Sequence, residues 1–331
     1  MSDHQDMLDG YFRLMNMNGA AHVYREAVAS GLLDAMAEGP VSTEELARRC
    51  GLAPRPIGLM LQVLRALALV QADDGAWQLT PLARALIAGG YRDLGDGYWQ
   101  HLPTFMKTDA PLVQMDDPSQ SESHYQAQAA ALAWMLSAAA EEAAGLITTD
   151  LKLNGPLQVL DVGAGSAVWS LAIARACMGS SVTAVDWPAV LKVAQSTAQQ
   201  MGLAPHLHCL PGDYHKIELP PEAFDVAILG NVAHLETHEG NRDLATRLFA
   251  ALRPGGHILV FDVFPTQAGG ELNGALYALG LALRTAHGRV YPVRDLGQIM
   301  LAAGFTRPRH MPLQSPPRAV GVVIGKKPDD E

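Results

Sequence analysis

A chain of 331 residues, 49% apolar and 18% charged, is long enough for one full core plus a smaller partner domain and too apolar to stay disordered. Its 34 acidic residues outnumber 24 lysines and arginines for a net charge of −10, which repels phosphate backbones and argues against nucleic acid as a partner. The cysteines, Cys50, Cys177 and Cys209, are too scattered for a zinc site or a disulfide framework and fit a reducing cytoplasm.

The N-terminal MSDHQDMLDG lacks the basic stretch and apolar core of a signal peptide, and no run of about 18 apolar residues offers a membrane span. From about Gly10 to Ala88 the periodicity is helical, as in Ala27, Val28, Leu32, Leu33 and Met36. Ser42 and Glu45 have capping-box spacing and open a short helix that stops near Gly51. Pro54 and Pro56 introduce the next helix, Ile57 to Leu67. Leu69-Val70, the turn Asp73-Asp74-Gly75 and Trp77 to Thr80 then predict a hairpin, and Pro81 starts another helix. This order is that of a winged helix. Its second helix carries only Arg55 and Arg65 as bases, which favours a packing or dimerisation surface over DNA reading by a metabolite-sensing regulator. The first domain is therefore placed at residues 1–90.

Residues 91–150 are expected to form linker helices that cover an acceptor pocket, with breaks at Pro103, Pro111 and Pro118 and an alanine-rich helix from Tyr125 to about Ile147. Beyond Gly155-Pro156, in a third segment of 151–331, short apolar strands alternate with helices: Val159–Val162, Val182–Val185, Leu207–Leu210, Val226–Leu229 and Ile258–Phe261. Such alternation predicts an α/β, Rossmann-like, doubly wound parallel sheet.

Three successive strand ends carry polar or glycine-rich tips that would meet at one sheet edge. The first is Asp161-Val162-Gly163-Ala164-Gly165, where glycines allow a tight turn and close approach to a ligand. A dinucleotide fingerprint needs a third glycine where this chain has Val168, so the pyrophosphate reading loses ground. The second is Asp186, followed by Trp187, whose carboxylate can accept from both hydroxyls of a ribose. The third is Gly212-Asp213-Tyr214. Together they predict a nucleoside-like ligand.

LDVGAGSAVWSLAIA, AVDWPAVL, LPGDY, FDVAILGNVAH and ALRPGGHILVFDVF, with GLLDAMAEGPVSTEELARRCGL in the helical half, resemble the S-adenosylmethionine-dependent O-methyltransferases of the plant caffeate/hydroxyindole type and their bacterial relatives. The resemblance implies S-adenosylmethionine as cofactor and S-adenosylhomocysteine as product. It places Gly163 and Gly165 at the methionine portion, Asp186 at the ribose, and Asp213 and Tyr214 at adenine, with Trp187 available to stack; Asp161, Gly212 and Asn231 complete the candidate cofactor set. A homodimer formed through the N-terminal winged-helix dimerisation domain is also implied.

The same resemblance makes His234 the candidate base and Asp262 the carboxylate that orients it. Spacing alone leaves His234 open to a second reading, a loop histidine satisfied by Glu236 or Asn231. Two departures stand out: Leu235-Glu236 replaces the usual Asp-Trp, and a second carboxylate of several relatives falls near Val290. The altered pair and the missing second carboxylate keep carbon or nitrogen methylation of a specialised metabolite open. His287 is a candidate acceptor ligand or second base, and His238 a loop-lip residue; no carboxylate-histidine spacing compels a metal. For a large, flat, mostly apolar acceptor the candidate pocket residues are Tyr98, Trp99, Phe105, Met106, Trp134, Met135, Leu276, Tyr277, Leu281 and Tyr291.

Overall fold

The computed structural model describes residues 2–89, 92–115, 118–264 and 270–330, which divide into two compact units, 1–97 and 98–331. In the first unit a helix, α1 (Ser2–Ala29), is followed by a two-residue strand, β1 (Val41–Ser42), then α2 (Thr43–Cys50), α3 (Pro54–Ala66), β2 (Val70–Asp73), β3 (Ala76–Leu79) and α4 (Pro81–Ala88). The Ser42 hydroxyl accepts from the Glu45 N–H at 3.2 Å, and Gly51 closes α2 in the left-handed conformation (φ 66°) that its missing Cβ makes cheap. The hairpin pairs Val70 with Leu79, and β1 adds a third strand by pairing Val41 with Trp77. At two residues β1 is too short to carry a periodic signal, which is why the sequence does not announce it. Leu32, Leu33, Met36, Leu46, Ile57, Leu61 and Leu64 are buried together in this unit's core. α1 instead leaves Met7, Leu8, Tyr11, Phe12, Leu14, Met15 and Met17 exposed, an apolar surface of the kind that marks an interaction face.

The second unit takes in most of α5 (Asp96–Thr108), then α6 (Pro118–Asp150) and a seven-stranded sheet. Its strands are β4 (Gln158–Val162), β5 (Ser181–Asp186), β6 (Leu207–Pro211), β7 (Phe224–Gly230), β8 (Leu252–Val263), β9 (Thr306–Pro312) and β10 (Val320–Lys326). Between them lie α7 (Val168–Ala176), α8 (Pro188–Gln200), α9 (His238–Ala251), α10 (Gly270–Ala282) and α11 (Val293–Ala302). The order is β6-β5-β4-β7-β8-β10-β9, parallel from β6 to β8 and antiparallel where β10 inserts between β8 and β9. The sheet is thus mixed and not wholly parallel, because the last two strands form a hairpin-like pair instead of a crossover through a helix.

α6 packs on α7 and α8 through Leu136, Ala139, Ala140, Ala143, Ala144 and Ile147, a stripe of mostly small residues that lets the helices approach closely. Its segment Gln128–Asp150 is, by length and composition, long and apolar enough to cross a membrane, and this buried stripe accounts for part of that apolarity. Beneath it, Trp169 of α7 stacks on Phe261 of β8 with ring centroids 4.2 Å apart.

Candidate functional site

After β4 the chain moves to β5 and β6 on one side, then returns to β7 and β8 on the other. The loops leaving β4 and β7 therefore diverge and open a crevice at the carboxyl ends of the strands. A cavity of about 200 Å3 occupies it. The β4 loop reaches the crevice through three left-handed residues in five, Gly163 (φ 66°), Gly165 (φ 57°) and Ala167 (φ 57°), the last being the N-cap of α7. A Cβ on Gly163 would stand 2.5 Å from Val232 Cγ2 of the β7 loop, so both its angle and its space require glycine. On the β7 side Asn231, also left-handed (φ 59°), donates its N–H to the Phe261 carbonyl at 2.8 Å and accepts from Trp169 Nε1 at 3.3 Å.

Asp186 ends β5 in the cavity wall. Its Oδ2 accepts from the Gly165 N–H at 2.8 Å and its Oδ1 from the Trp187 N–H at 2.7 Å. Burial pushes its carboxyl up to about 6 against the pull of those two N–H groups. Asp161 lies behind the loop, outside the cavity lining, and accepts the Ser170 hydroxyl at 2.5 Å; complete burial raises it to about 7. Gly212 is also behind the wall, its N–H bound to the Asp186 carbonyl at 3.0 Å. Next to it Asp213 lines the cavity, and there the His215 N–H and the Lys216 ammonium outweigh burial and hold it below the usual carboxylate range.

The Tyr214 hydroxyl donates to Glu236 Oε1 at 2.6 Å, and burial together with that carboxylate raises the phenol well above its ordinary value. His215 Nε2 lies 3.1 Å from the same oxygen, which raises the imidazole above its ordinary value. Arg247 of α9 fixes this turn from behind by donating to the carbonyls of Tyr214 and Ile217.

His234 is buried in the 3-10 turn Ala233–Leu235 after β7. Its Nδ1 is 2.8 Å from Asp262 Oδ1, while its backbone N–H donates to Asp262 Oδ2 at 3.1 Å. The pairing with Asp262 at the end of β8 assigns the proton to Nδ1 and leaves the lone pair on Nε2. Tyr277 of α10 sets its ring edge-on to the imidazole at 5.8 Å, with its hydroxyl 3.3 Å from Nδ1. The His234 carbonyl accepts from the Arg289 N–H at 2.8 Å, which docks the segment after α10 on the histidine turn. The ring thus takes its partner from Asp262, not from Glu236 or Asn231.

The cavity brings together Gly163, Gly165, Asp186, Trp187, Asp213, Tyr214, Asn231 and His287. The acceptor-pocket candidates are dispersed. Met106 and Trp134 are mainly exposed, at 74% and 51%, and Leu276 is exposed as well, whereas Leu281 is fully buried. Trp99 packs beside Gly280, Phe105 and Met135 are half-buried, Tyr98 accepts from the Gln128 side-chain amide at 3.3 Å, and the buried Tyr291 donates to the Glu236 carbonyl at 2.8 Å. One apolar wall of the cavity is formed instead by Met115 with Tyr125, Ala129, Leu132 and Leu136 of α6. Their steps of four, three and four residues are one helical stripe, and Trp134 falls about 200° round the helix from Leu132 at 3.6 residues per turn. That spacing was readable in the sequence. Glu236 stands out in the sequence only as a neighbour of His234 and a departure from the usual Asp-Trp; its meeting with His215, also a lining residue, depends on β6 and β7 ending at the same edge.

Residues 119–306 match the profile of the O-methyltransferase domain, and residues 12–89 that of the O-methyltransferase dimerisation domain. The chain is 25% identical over 313 residues to 3-hydroxy-5-methyl-1-naphthoate 3-O-methyltransferase of Streptomyces sahachiroi, covering 91% of this chain and 90% of that one. It is 29% identical over 320 residues to acetylserotonin O-methyltransferase of Mus musculus, covering 88% and 81%. Human N-acetylserotonin methyltransferase, solved in complex with SAM, shares the fold with a TM-score of 0.74 at 20% identity, over 96% of this chain and 98% of that one.

Proposed function

The chain belongs to the O-methyltransferase family, and from that premise we propose that it transfers the methyl group of S-adenosylmethionine to a hydroxyl of a small, largely apolar acceptor of phenolic or polyketide type. The observation that carries this reading is the buried His234–Asp262 pair, which is not itself among the lining residues of the pocket that holds Gly163, Gly165 and Asp186 but adjoins the lining residues Val232, Leu235 and Glu236 along the chain.

The residues fit the donor. Each Asp186 oxygen keeps a lone pair beyond the one taken by a backbone N–H, enough for the two hydroxyls of a ribose. Trp187 and Tyr214 offer aromatic faces for a purine, and the carboxylates of Asp186, Asp213 and Glu236 make the cavity favourable to a cation. Bound there, S-adenosylmethionine supplies a methyl group on a positively charged sulfur, already activated for transfer. The protein's share is placement and one proton. His234 Nε2 takes the proton of the acceptor hydroxyl, and Asp262 stabilises the imidazolium that results. The α6 wall and His287 border the space left for the acceptor.

Methyl-labelled S-adenosylmethionine, incubated with the purified chain and a panel of phenols and enolic polyketides, should yield O–CH3 products by mass spectrometry. Label on carbon or nitrogen, or none at all, would overturn the assignment.

Donor affinity should also depend on pH. The folded values of Asp186 and Asp161 stand above the ordinary carboxylate value, so the folded chain binds more protons than the unfolded one between about pH 4 and 7. Their contribution to stability is therefore greatest at the acid end and falls as the pH rises. Ribose hydroxyls need the ionised carboxylate, so S-adenosylhomocysteine should bind about tenfold more weakly per unit below pH 6. Calorimetry at pH 5 and 7.5 giving equal affinities would contradict the role of Asp186.

We read the active form as a cytoplasmic homodimer. The match of residues 12–89 to a dimerisation domain and the exposed apolar residues of α1 support the dimer. Light scattering should report a dimer for the wild-type chain and a monomer for Phe12→Asp/Leu14→Asp. A wild-type monomer would refute the dimer.

A further inference from the structure

Glu236 is a buried carboxylate, 8% exposed, that the roles of Asp186 and His234 leave unexplained. It stands two residues beyond His234, and three elements converge on it. From the turn after β6, the Tyr214 hydroxyl donates to Oε1 at 2.6 Å and His215 Nε2 approaches the same oxygen at 3.1 Å. From the segment after α10, the Tyr291 hydroxyl donates to the Glu236 carbonyl at 2.8 Å. From α9, Gly240 leaves room for the other carboxylate oxygen, since a Cβ there would lie 2.5 Å from Oε2. The Tyr214 ring in turn reaches the glycine loop, its Cε1 lying 3.6 Å from where a Gly163 Cβ would be. One carboxylate therefore ties the wall opposite Gly163 to the turn that carries the candidate base.

We propose that Glu236 is a positioning residue for methyl transfer: by holding Tyr214 it sets the donor-side wall against the His234 turn, so that donor and base are brought into register through a single side chain. This rests on the reading above that the pocket binds S-adenosylmethionine. His215, half-exposed, brings Nε2 to the same oxygen and, when protonated, is the positive partner that makes a buried carboxylate tolerable at this point.

The test uses S-adenosylhomocysteine as ligand and calorimetry on the full chain. Glu236→Ala should weaken binding about tenfold, the loss of one charge-assisted hydrogen bond. Glu236→Gln, which keeps an oxygen for the Tyr214 hydroxyl, should recover most of it. Tyr214→Phe should reproduce the loss, and the double variant should bind no more weakly than either single one. Gly240→Ala replaces a glycine in the first turn of α9 with a better helix former, yet crowds the carboxylate off Tyr214. It should weaken binding in the Glu236 chain and change nothing in the Glu236→Ala background, and this pair carries the test if Glu236→Ala alone does not fold. The His234 arm is read by NMR. The Nδ1–H proton shared with Asp262 should shift in Glu236→Ala and return in Glu236→Gln. Wild-type binding with unchanged Glu236→Ala affinity, or additive losses from Glu236 and Tyr214, would overturn the positioning role alone. Failure of the wild-type chain to bind would overturn the donor assignment and this proposal with it.

Discussion

Asp186→Ala is expected to weaken S-adenosylhomocysteine binding by about 10²- to 10⁴-fold while the chain still folds. Each hydrogen bond from a ribose hydroxyl to an ionised carboxylate contributes about 1.5–3 kcal/mol, and the substitution removes two. Stability should change much less, because two effects oppose each other. The variant strands the N–H groups of Gly165 and Trp187, at about 1–3 kcal/mol each where water does not replace the partner. It also removes a carboxyl held at about 6, whose ionisation at neutral pH costs the folded state up to about 3 kcal/mol. Calorimetry and thermal melts separate the outcomes: a folded variant that binds as the wild type does would remove Asp186 from the donor site.

His234→Ala is expected to slow methyl transfer by about 10²- to 10⁴-fold with S-adenosylhomocysteine affinity unchanged, the range typical of a positioned general base. Asp262→Asn should give much of the same loss without removing the ring. An amide turned toward Nδ1 would favour the tautomer whose lone pair points away from the acceptor. The contrast with Asp186→Ala is diagnostic, since one variant should fail to bind donor and the other should bind it and not turn over. Full turnover by His234→Ala on a phenol would mean that placement suffices and that the acceptor arrives ionised.

The parts of this site that were legible in the sequence are those made within one strand–loop–helix unit. Gly163, Gly165 and Asp186 sit at strand ends that apolar runs and flanking glycines mark clearly. The mixed edge of the sheet was not legible, because β10 is as apolar as a parallel strand and nothing local records that it enters antiparallel beside β8. The linking role of Glu236 is not legible for a related reason. Its partners, Tyr214 and His215, lie on another loop, and only the return of the chain from β6 to β7 brings them together. The α6 residues that line the cavity differ from the pocket residues the sequence suggests: Tyr125, Ala129, Leu132 and Leu136 lie one helical face away from the bulky Trp134.

α6 also bears on how such a chain can change its chemistry over time. Leu136 belongs at once to the buried stripe against α7 and to the cavity wall. Enlarging the cavity at that position would sacrifice core packing worth about 2–5 kcal/mol, a large part of a typical domain's stability. Leu132, less completely buried on the same wall, can vary at lower cost. Drift in acceptor preference along this lineage should therefore enter through the outer turns of α6 and reach Leu136 last, after stabilising changes elsewhere have made room for it.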